Sequence, residues 1–585
     1  MSDNDVKKNN NNNESSASAP AYQTIREGSV EMQYPADQES TVFYNPVQVQ
    51  NRDLSILMIT LLAEERAVRL AVAAKKKQLR STEKEQWKTK LQQFEQSLDP
   101  PQALRDQAPE DGMSILDALA ASGLRSIRYW KEIPGVRHIT INDLDAAAVE
   151  RAHNNLKHNQ VSEHVVGNDS NRNTNNSKDS SSAFSPIQQP QRPAGICAQQ
   201  GDAIHEMYMS RIPASPDLPS ASSLRPPWDV IDLDPYGSAA PFLDAAVQAI
   251  ADGGLLCVTC TDMAALGGSH PETCYGRYAA LPIQRAAYLQ ELALRILLQS
   301  LATTAAKYGR TITPRLSVGM NFYVRVFVTV HNNKAGVEKL SLSIGKVFQS
   351  TQCSSFQIVP DSILGGKKGS VYQAARAPST CTETGGNFKI GGPLWLGPLH
   401  DASILEKAIQ RLASTDPNSK PDLKLIATKD RLRGLLQNCA DELPDVPLFY
   451  NVGHMASLLK VSSPPLDDVR AALMNGGYRV SGYHKDPQAI KTDAPSHVMW
   501  DILRTWCKKH PPKKPPSPDT AGGKILAKES CDFRVDFTHP KTGLLKRTDV
   551  ARFPMNPEAN WGPKKAATGH KRKAEDSPEK KENKK

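Results

Sequence analysis

The sequence contains no uninterrupted apolar stretch near the ~20 residues that a membrane-spanning helix needs, so no bilayer span is expected. Cysteine is sparse: nine are scattered over 585 residues. No secretory signal opens the chain, which points to reduced thiols in an intracellular compartment rather than a disulfide scaffold. The single C-x-x-C spacing, Cys257-Val258-Thr259-Cys260, lies in an apolar run at 254–261. Residues three apart on a strand point to opposite faces, so core packing is expected there instead of a metal site. The glycine fingerprint G-x-G-x-x-G is also missing, which counts against NAD or FAD.

Charge is present but unevenly placed. Lys plus Arg exceeds Asp plus Glu by 72 − 62 = +10. The segment Lys564–Lys585 holds nine Lys/Arg against four Asp/Glu, so half of the excess sits in a tail. The remainder is only mildly basic, and charge alone leaves nucleic-acid binding open. Apolar content of 39% with 6% aromatics fits a globular protein carrying some disordered sequence.

Along the chain, residues 1–24 are Asn- and Ser-rich and read as disordered. An amphipathic helical pattern runs from Asn51 to about Gln96 through Leu54, Leu57 and Leu61, its second half highly charged. A βα series follows. Strands are expected at Ser114–Leu119, His138–Asn142, Ile196–Gln199, Trp228–Leu233, Leu255–Thr261 and Val318–Thr329. Helices are expected at Leu124–Glu132, Ala146–Asn159, Ala239–Ala251 and Leu281–Tyr308. A polar stretch at about 161–195 reads as a disordered insertion, and Pro213–Pro227 as a second. The expected fold is α/β: a doubly wound, mostly parallel Rossmann-like sheet over 25–330, with sites at the carboxyl ends of its strands. A smaller α+β domain is expected over 331–506, then a basic, largely disordered tail over 507–585.

Four acidic positions fall where such a sheet places ligands. The first strand ends in Asp117-Ala118-Leu119-Ala120-Ala121-Ser122-Gly123, a small-residue turn before a helix. S-Adenosylmethionine has no phosphate, so such a turn suffices for it. Asp143, twenty residues after Gly123, is placed to accept hydrogen bonds from ribose hydroxyls, and Asp202 to reach an adenine amine. The bland alternative is that each Asp caps the next helix. The fourth, Asp234, lies in Asp232-Leu233-Asp234-Pro235-Tyr236-Gly237-Ser238. A carboxylate beside an aromatic ring suits chemistry on the exocyclic amine of a flat base. The ring stacks on the base while Asp234 and the carbonyl of Pro235 accept the amine hydrogens.

These segments, with Val42-Phe43-Tyr44-Asn45-Pro46, Asn51-Arg52-Asp53, Gly123–Arg128, Cys260-Thr261-Asp262-Met263, Gly392–His400 and Ile490–Pro495, resemble the tRNA guanine-26 N2-dimethyltransferases. The likeness runs from about Glu27 to Trp506, with an echo at Asn556–Pro563. It implies a class I methyltransferase that moves two methyl groups from S-adenosylmethionine to N2 of guanosine 26 in tRNA. Carried over by position, Arg52, Arg125, Asp143, Asp202 and Ala203 bind the cofactor, Asp234 is the catalytic carboxylate, and Phe43 and Tyr236 sandwich the guanine. Tyr44 reads equally as a core aromatic, and Arg128 as a surface residue. The C-terminal domain is expected to bind tRNA, with Tyr483-His484-Lys485 and Lys491-Thr492 supplying phosphate donors; His484 reads equally as a structural histidine. The tail, with His570-Lys571-Arg572-Lys573 and Lys580-Lys581, looks like a nuclear import signal or an RNA tether, with a mitochondrial pool left open. Some relatives carry paired C-x-x-C elements suited to zinc. Here one cysteine of each remains, Cys353 and Cys381, so no metal is expected. The rival readings are a non-catalytic tRNA-binding or folding factor, a methyltransferase on adenine or cytosine amines, and a dehydrogenase. The intact acidic set speaks against the first, the lack of a second proline after Asp234-Pro235 against the second, and the missing glycines against the third.

Overall fold

The computed structural model describes residues 22–35, 44–82, 86–163, 192–211, 225–365, 370–372, 377–528, 533–538 and 551–556. Phe43, residues 164–191 of the expected insertion and the basic tail from 557 onward lie outside these. Strands β1 (Tyr22–Glu27) and β2 (Val30–Pro35) pair antiparallel. The helix Val49–Thr82 follows; its first half is buried almost throughout and its second half is charged.

Seven strands then build one sheet: β3 (Met113–Asp117), β4 (Val136–Asp143), β5 (Gly195–Gln200), β6 (Trp228–Leu233), β7 (Ile250–Cys260), β8 (Arg310–Gly319) and β9 (Val324–Asn332). Their order is β5-β4-β3-β6-β7-β9-β8. The first five are parallel and the last two antiparallel. This is the expected doubly wound sheet. Every residue of β3 is buried, as a strand covered on both faces requires. Ile115, Val230 and Cys257 enter one core, whereas Leu116, Ile231 and Cys260 enter the core on the other face. The two cysteines of the C-x-x-C spacing are therefore packing residues on opposite faces.

The edge differs from expectation. Val318–Thr329 is not one strand but the inner part of a hairpin, closed where the Met320 amide donates to the Tyr323 carbonyl at 2.8 Å. The long helix starts at Leu289, not Leu281. Leu281 instead exchanges backbone hydrogen bonds with Gly392.

The C-terminal part contains β10 (Ile344–Ser350), β11 (Phe356–Pro360), β12 (Ile363–Gly365), β13 (Ser370–Tyr372), β14 (Phe388–Trp395), β15 (Tyr450–Asn451), β16 (Val480–Tyr483) and β17 (Asp486–Thr492). They form the small sheets β11-β10-β14, β12-β13 and β15-β17-β16. A third core gathers Met455, Leu473, Trp500 and Leu503. Helices Ala402–Ala413 and Lys429–Asp441 do not belong to it. Their Leu405, Leu412, Leu432 and Leu436 join Leu57 and Leu61 of the first helix on one face of the large sheet. The cores thus cross the expected boundary near residue 330.

Order also runs past Trp506. The helix Ala521–Ala527 buries Ile525 completely, and Phe533, Val535 and Phe537 pack on the third core. Arg552 pairs with Asp441 at 2.5 Å. Residues 507–528, 533–538 and 551–556 of the expected loose tail are thus placed: isolated apolar residues among the lysines and prolines find a core to join. No helix among the described residues is long and apolar enough to cross a membrane.

Candidate active site

Strand order reverses between β3 and β6, which leaves a crevice at their carboxyl ends. Asp117 and Asp232 are register partners at that point. Asp232 is fully buried and grips Arg325 bidentately, at 2.8 and 2.9 Å. It also accepts the Tyr129 hydroxyl at 2.6 Å and Arg125 Nη1 at 3.3 Å. Burial alone would raise its carboxyl, but Arg125 and Arg325 outweigh that and hold it at about 2. Arg325 is fixed further by Ser55 Oγ and Thr259 Oγ1, both at 2.8 Å. The other arm of Arg125, Nη2, engages Oδ2 of Asp234. One alternating chain of charges, Arg325–Asp232–Arg125–Asp234, thus runs from the core to the surface. Asp234 ends it with 17% of its side chain exposed.

The loop after β6 is clamped in place. Gly237 donates to Thr261 Oγ1 at 2.7 Å, and Thr261 returns a hydrogen bond to the Gly237 carbonyl at 2.8 Å. Gly237 has φ +92°, a region that favours glycine. Ser238 Oγ meets the Tyr278 hydroxyl at 2.6 Å, which in turn donates to Asp262 at 3.0 Å. Pro235 is buried, and Tyr236 stands 62% exposed next to the half-buried Asp234. A flat ring has a stacking partner and a hydrogen-bond acceptor here at once.

The other strand ends are tied together. Asn142 Nδ2 donates to the carbonyls of Ala118 and Gly201, each at 3.0 Å, which joins the ends of β3, β4 and β5. Asp143 accepts the Ala121 amide on Oδ2 at 2.8 Å and the Asp145 amide on Oδ1 at 2.9 Å. Gly123 has φ +76°, a region that favours glycine, and a Cβ there would meet the Ala152 Cβ at 3.2 Å, tighter than an ordinary contact. Asp117 is buried, with Oδ2 on Ser126 Oγ at 2.6 Å and Oδ1 without a partner. Burial, then the neighbouring Asp232, push its carboxyl up to about 7. Carboxylates at successive strand ends, an orphaned buried oxygen and no glycine cradle suit a ligand rich in donors and free of phosphate.

The positions expected to bind cofactor divide. Asp143 and Arg125 sit at the crevice, although Arg125 is engaged by Asp232 and Asp234. Asp202 is exposed and caps its helix, accepting the Ile204 amide at 2.8 Å, with Ala203 buried behind it. Arg52 is paired with Glu27 at 2.5 and 2.6 Å, and its guanidinium lies over the half-buried Tyr44 ring at 5.5 Å.

Arg128 is not a surface residue. It is fully buried among Glu27, Asp53 and Glu132, at 2.7, 2.8 and 2.9 Å. The expected phosphate donors are corrected as well. Tyr483, His484 and Lys491 are at most 3% exposed. Lys491 places Nζ 2.7 Å from both oxygens of Glu291, so it cannot reach a phosphate. Only Lys485 of that group keeps some exposure, against Asn321.

His400, Cys439, Glu442 and His484 bring potential ligand atoms within 4.8 Å of one another. The backbone donors set the tautomer of each ring. Gly319 donates to His484 Nε2 at 2.9 Å, so Nδ1 carries the proton and donates to Glu442 at 2.7 Å. Ser317 donates to His400 Nδ1 at 3.3 Å, which leaves the proton on Nε2, 3.8 Å from Glu442. Neither ring has a lone pair to offer.

Sequence reasoning missed Arg325, Tyr129 and Ser55. Arg325 carried one usable signal, a lone charge within a stretch, Val324–Val330, that is otherwise apolar but for Thr329.

The family model described as "TRM: N2,N2-dimethylguanosine tRNA methyltransferase" matches residues 23–187 and 220–504. A tRNA (guanine(26)-N(2))-dimethyltransferase of Schizosaccharomyces pombe is 36% identical over 560 residues, covering 93% of this chain and 92% of that protein. The Mus musculus protein of the same name is 36% identical over 573 residues, covering 94% and 78%. Among solved structures, Trm1 from Pyrococcus horikoshii in complex with S-adenosyl-L-methionine superposes with a TM-score of 0.56 at 25% identity, covering 82% of this chain and 98% of that one.

Proposed function

The chain belongs to the N2,N2-dimethylguanosine tRNA methyltransferase family, and on that premise we propose that Asp234 is the carboxylate through which it dimethylates N2 of guanosine 26 in tRNA. The observation that carries this role is the pairing of a half-buried carboxylate with an exposed tyrosine on one clamped loop at the switch point. S-Adenosylmethionine supplies the electrophilic methyl carbon. Asp143, Asp202, Ala203 and the turn Ala121–Gly123 hold it at the strand ends, where carboxylates match its ribose hydroxyls and amines.

The work left to the protein is alignment, amine activation and proton removal. Tyr236 stacks on the guanine and sets its plane; Phe43, the expected second ring of the sandwich, lies outside the described residues. The N2 lone pair is delocalised into the ring, which makes it a poor nucleophile. Asp234 and the Pro235 carbonyl accept its hydrogens, return electron density to nitrogen and take up the proton as the bond forms. Arg125 occupies Oδ2 of Asp234 and so fixes the plane of the carboxylate; no donor among the described residues occupies Oδ1. A monomethylated amine still presents one N–H to Asp234, and a dimethylated one presents none. Two transfers follow from the hydrogen count. A base inside the tRNA stack has to be extruded to reach this loop.

The basic tail, Lys571-Arg572-Lys573 with Lys580-Lys581, supports recognition by nuclear import machinery and a nuclear location, with a mitochondrial pool as the second reading. Incubation with S-adenosylmethionine and unmodified tRNA, followed by nucleoside mass spectrometry, tests the activity. Dimethylguanosine should appear, and should vanish when guanosine 26 is replaced. Binding of tRNA without any methylated nucleoside would instead favour a non-catalytic tRNA-binding factor.

A further inference from the structure

We propose that Cys353 and Cys381 form a modification site at which a peroxide converts two thiols into a reversible disulfide joining the turn after β10 to the loop before β14. Their Sγ atoms are 3.7 Å apart, already in contact, although 28 residues separate them in sequence. A bond of ~2.05 Å needs the two sulfurs to close by under about 2 Å. The backbone of each cysteine is held in place. The Cys353 amide donates to Ser350 Oγ at 3.3 Å, and its carbonyl accepts from Gln349 Nε2 at 2.8 Å. Cys381 exchanges backbone hydrogen bonds with Gly386 and Gly385, each 2.8 Å. No other pair of cysteine sulfurs is joined in this way among the described residues.

The surroundings favour sulfur redox chemistry over a metal. The neighbours of the pair are hydroxyls, with Ser355 Oγ 3.2 Å from Cys353 Sγ, and hydroxyls are poor zinc ligands. The contact between the two sulfurs holds Cys381 below and Cys353 above the ordinary thiol range. A thiolate is the nucleophile in such chemistry. Cys381 attacks one oxygen of hydrogen peroxide, giving a sulfenic acid and hydroxide. Cys353 then displaces hydroxide from that sulfur, and two protons complete two waters. Two thiols and one peroxide become one disulfide and two waters.

Both cysteines belong to the third core with Met499, Trp500 and Leu503, and Trp500 Nε1 bonds Ser355 Oγ at 2.8 Å. The link would therefore staple the C-terminal core and leave the strand ends around Asp234 untouched. It stands independently of the proposed reaction.

The test uses the reduced full-length protein, titrated with hydrogen peroxide and then alkylated. Intact mass should fall by about 2 Da, tryptic mapping should join the Cys353 and Cys381 peptides, and dithiothreitol should reverse both. In Cys353→Ser, dimedone should label Cys381, where the sulfenic acid has no partner. The proposal is overturned if both cysteines stay alkylatable, if either is driven to sulfinic acid without a cross-link, or if thiol modification releases one zinc per chain. The wild-type readout does not depend on the variant folding.

Discussion

Two buried ionic networks lie in this molecule, built from similar residues and put to different ends. Under the crevice, Arg325, Asp232 and Arg125 pass charge to Asp234, which reaches solvent. At the junction of the two halves, Lys491 and Arg295 enclose Glu291, and His484 and His400 enclose Glu442. All members of the second network but the half-buried His400 are buried, and each charge has its partner inside the protein. Closure makes a network structural; a single open end makes it chemical. Residue type does not distinguish the two, which is why Lys491 looked like a phosphate ligand in the sequence.

The sharpest way to break this comparison is to cut each network at its end. Asp234→Ala should lower turnover by about 10²–10⁴-fold while the far-ultraviolet circular dichroism stays as in the wild type. Near-normal turnover in single-turnover assays would remove Asp234 from the chemistry. Lys491→Met should act in the opposite sense, costing about 3–5 kcal/mol in denaturant unfolding because Glu291 loses a buried partner. Its methylation rate per folded molecule should be unchanged.

A third cut concerns Glu27, which Arg52 and Arg128 share. Burial would raise its carboxyl, but the two guanidiniums outweigh it and hold the value at about 2, below the ordinary 4.5. Its folded-state value is depressed, so its contribution is present above pH 4.5 and is lost as pH falls toward 2. Glu27→Gln should cost on the order of 2–3 kcal/mol at neutral pH. Unfolding curves of variant and wild type should converge in acid; a constant gap down to pH 2 would contradict the pairing. Smaller still, Tyr236→Ala should cost about 1–3 kcal/mol in kcat/KM for tRNA, and Tyr236→Phe much less, since stacking needs the ring and not the hydroxyl. Removing 564–585 should leave turnover unaltered and reduce nuclear accumulation of a fluorescent fusion.

Much of the catalytic end was legible because its determinants are local. The motif around Asp234 is contiguous, and β3 to β7 announce themselves by apolar runs between helices. What stayed hidden depends on distant partners. The cage of Arg128 comes from Glu27, Asp53 and Glu132, one of them 101 residues away. The β8–β9 turn was hidden for a different reason. Met320, Phe322 and Tyr323 are as apolar as the strands they connect, and they outweigh the turn formers Gly319 and Asn321 beside them. The ordered stretch after Trp506 was masked by its lysines and prolines, because three phenylalanine or valine contacts weigh little in composition and much in a core.

The shared core has a practical consequence for anyone dissecting the chain. A fragment ending near residue 332 would strip Leu405, Leu412, Leu432 and Leu436 from the sheet face and leave Leu57 and Leu61 wet. Such a catalytic half is no detachable cassette; it would leave the ribosome with an oily flank and clump.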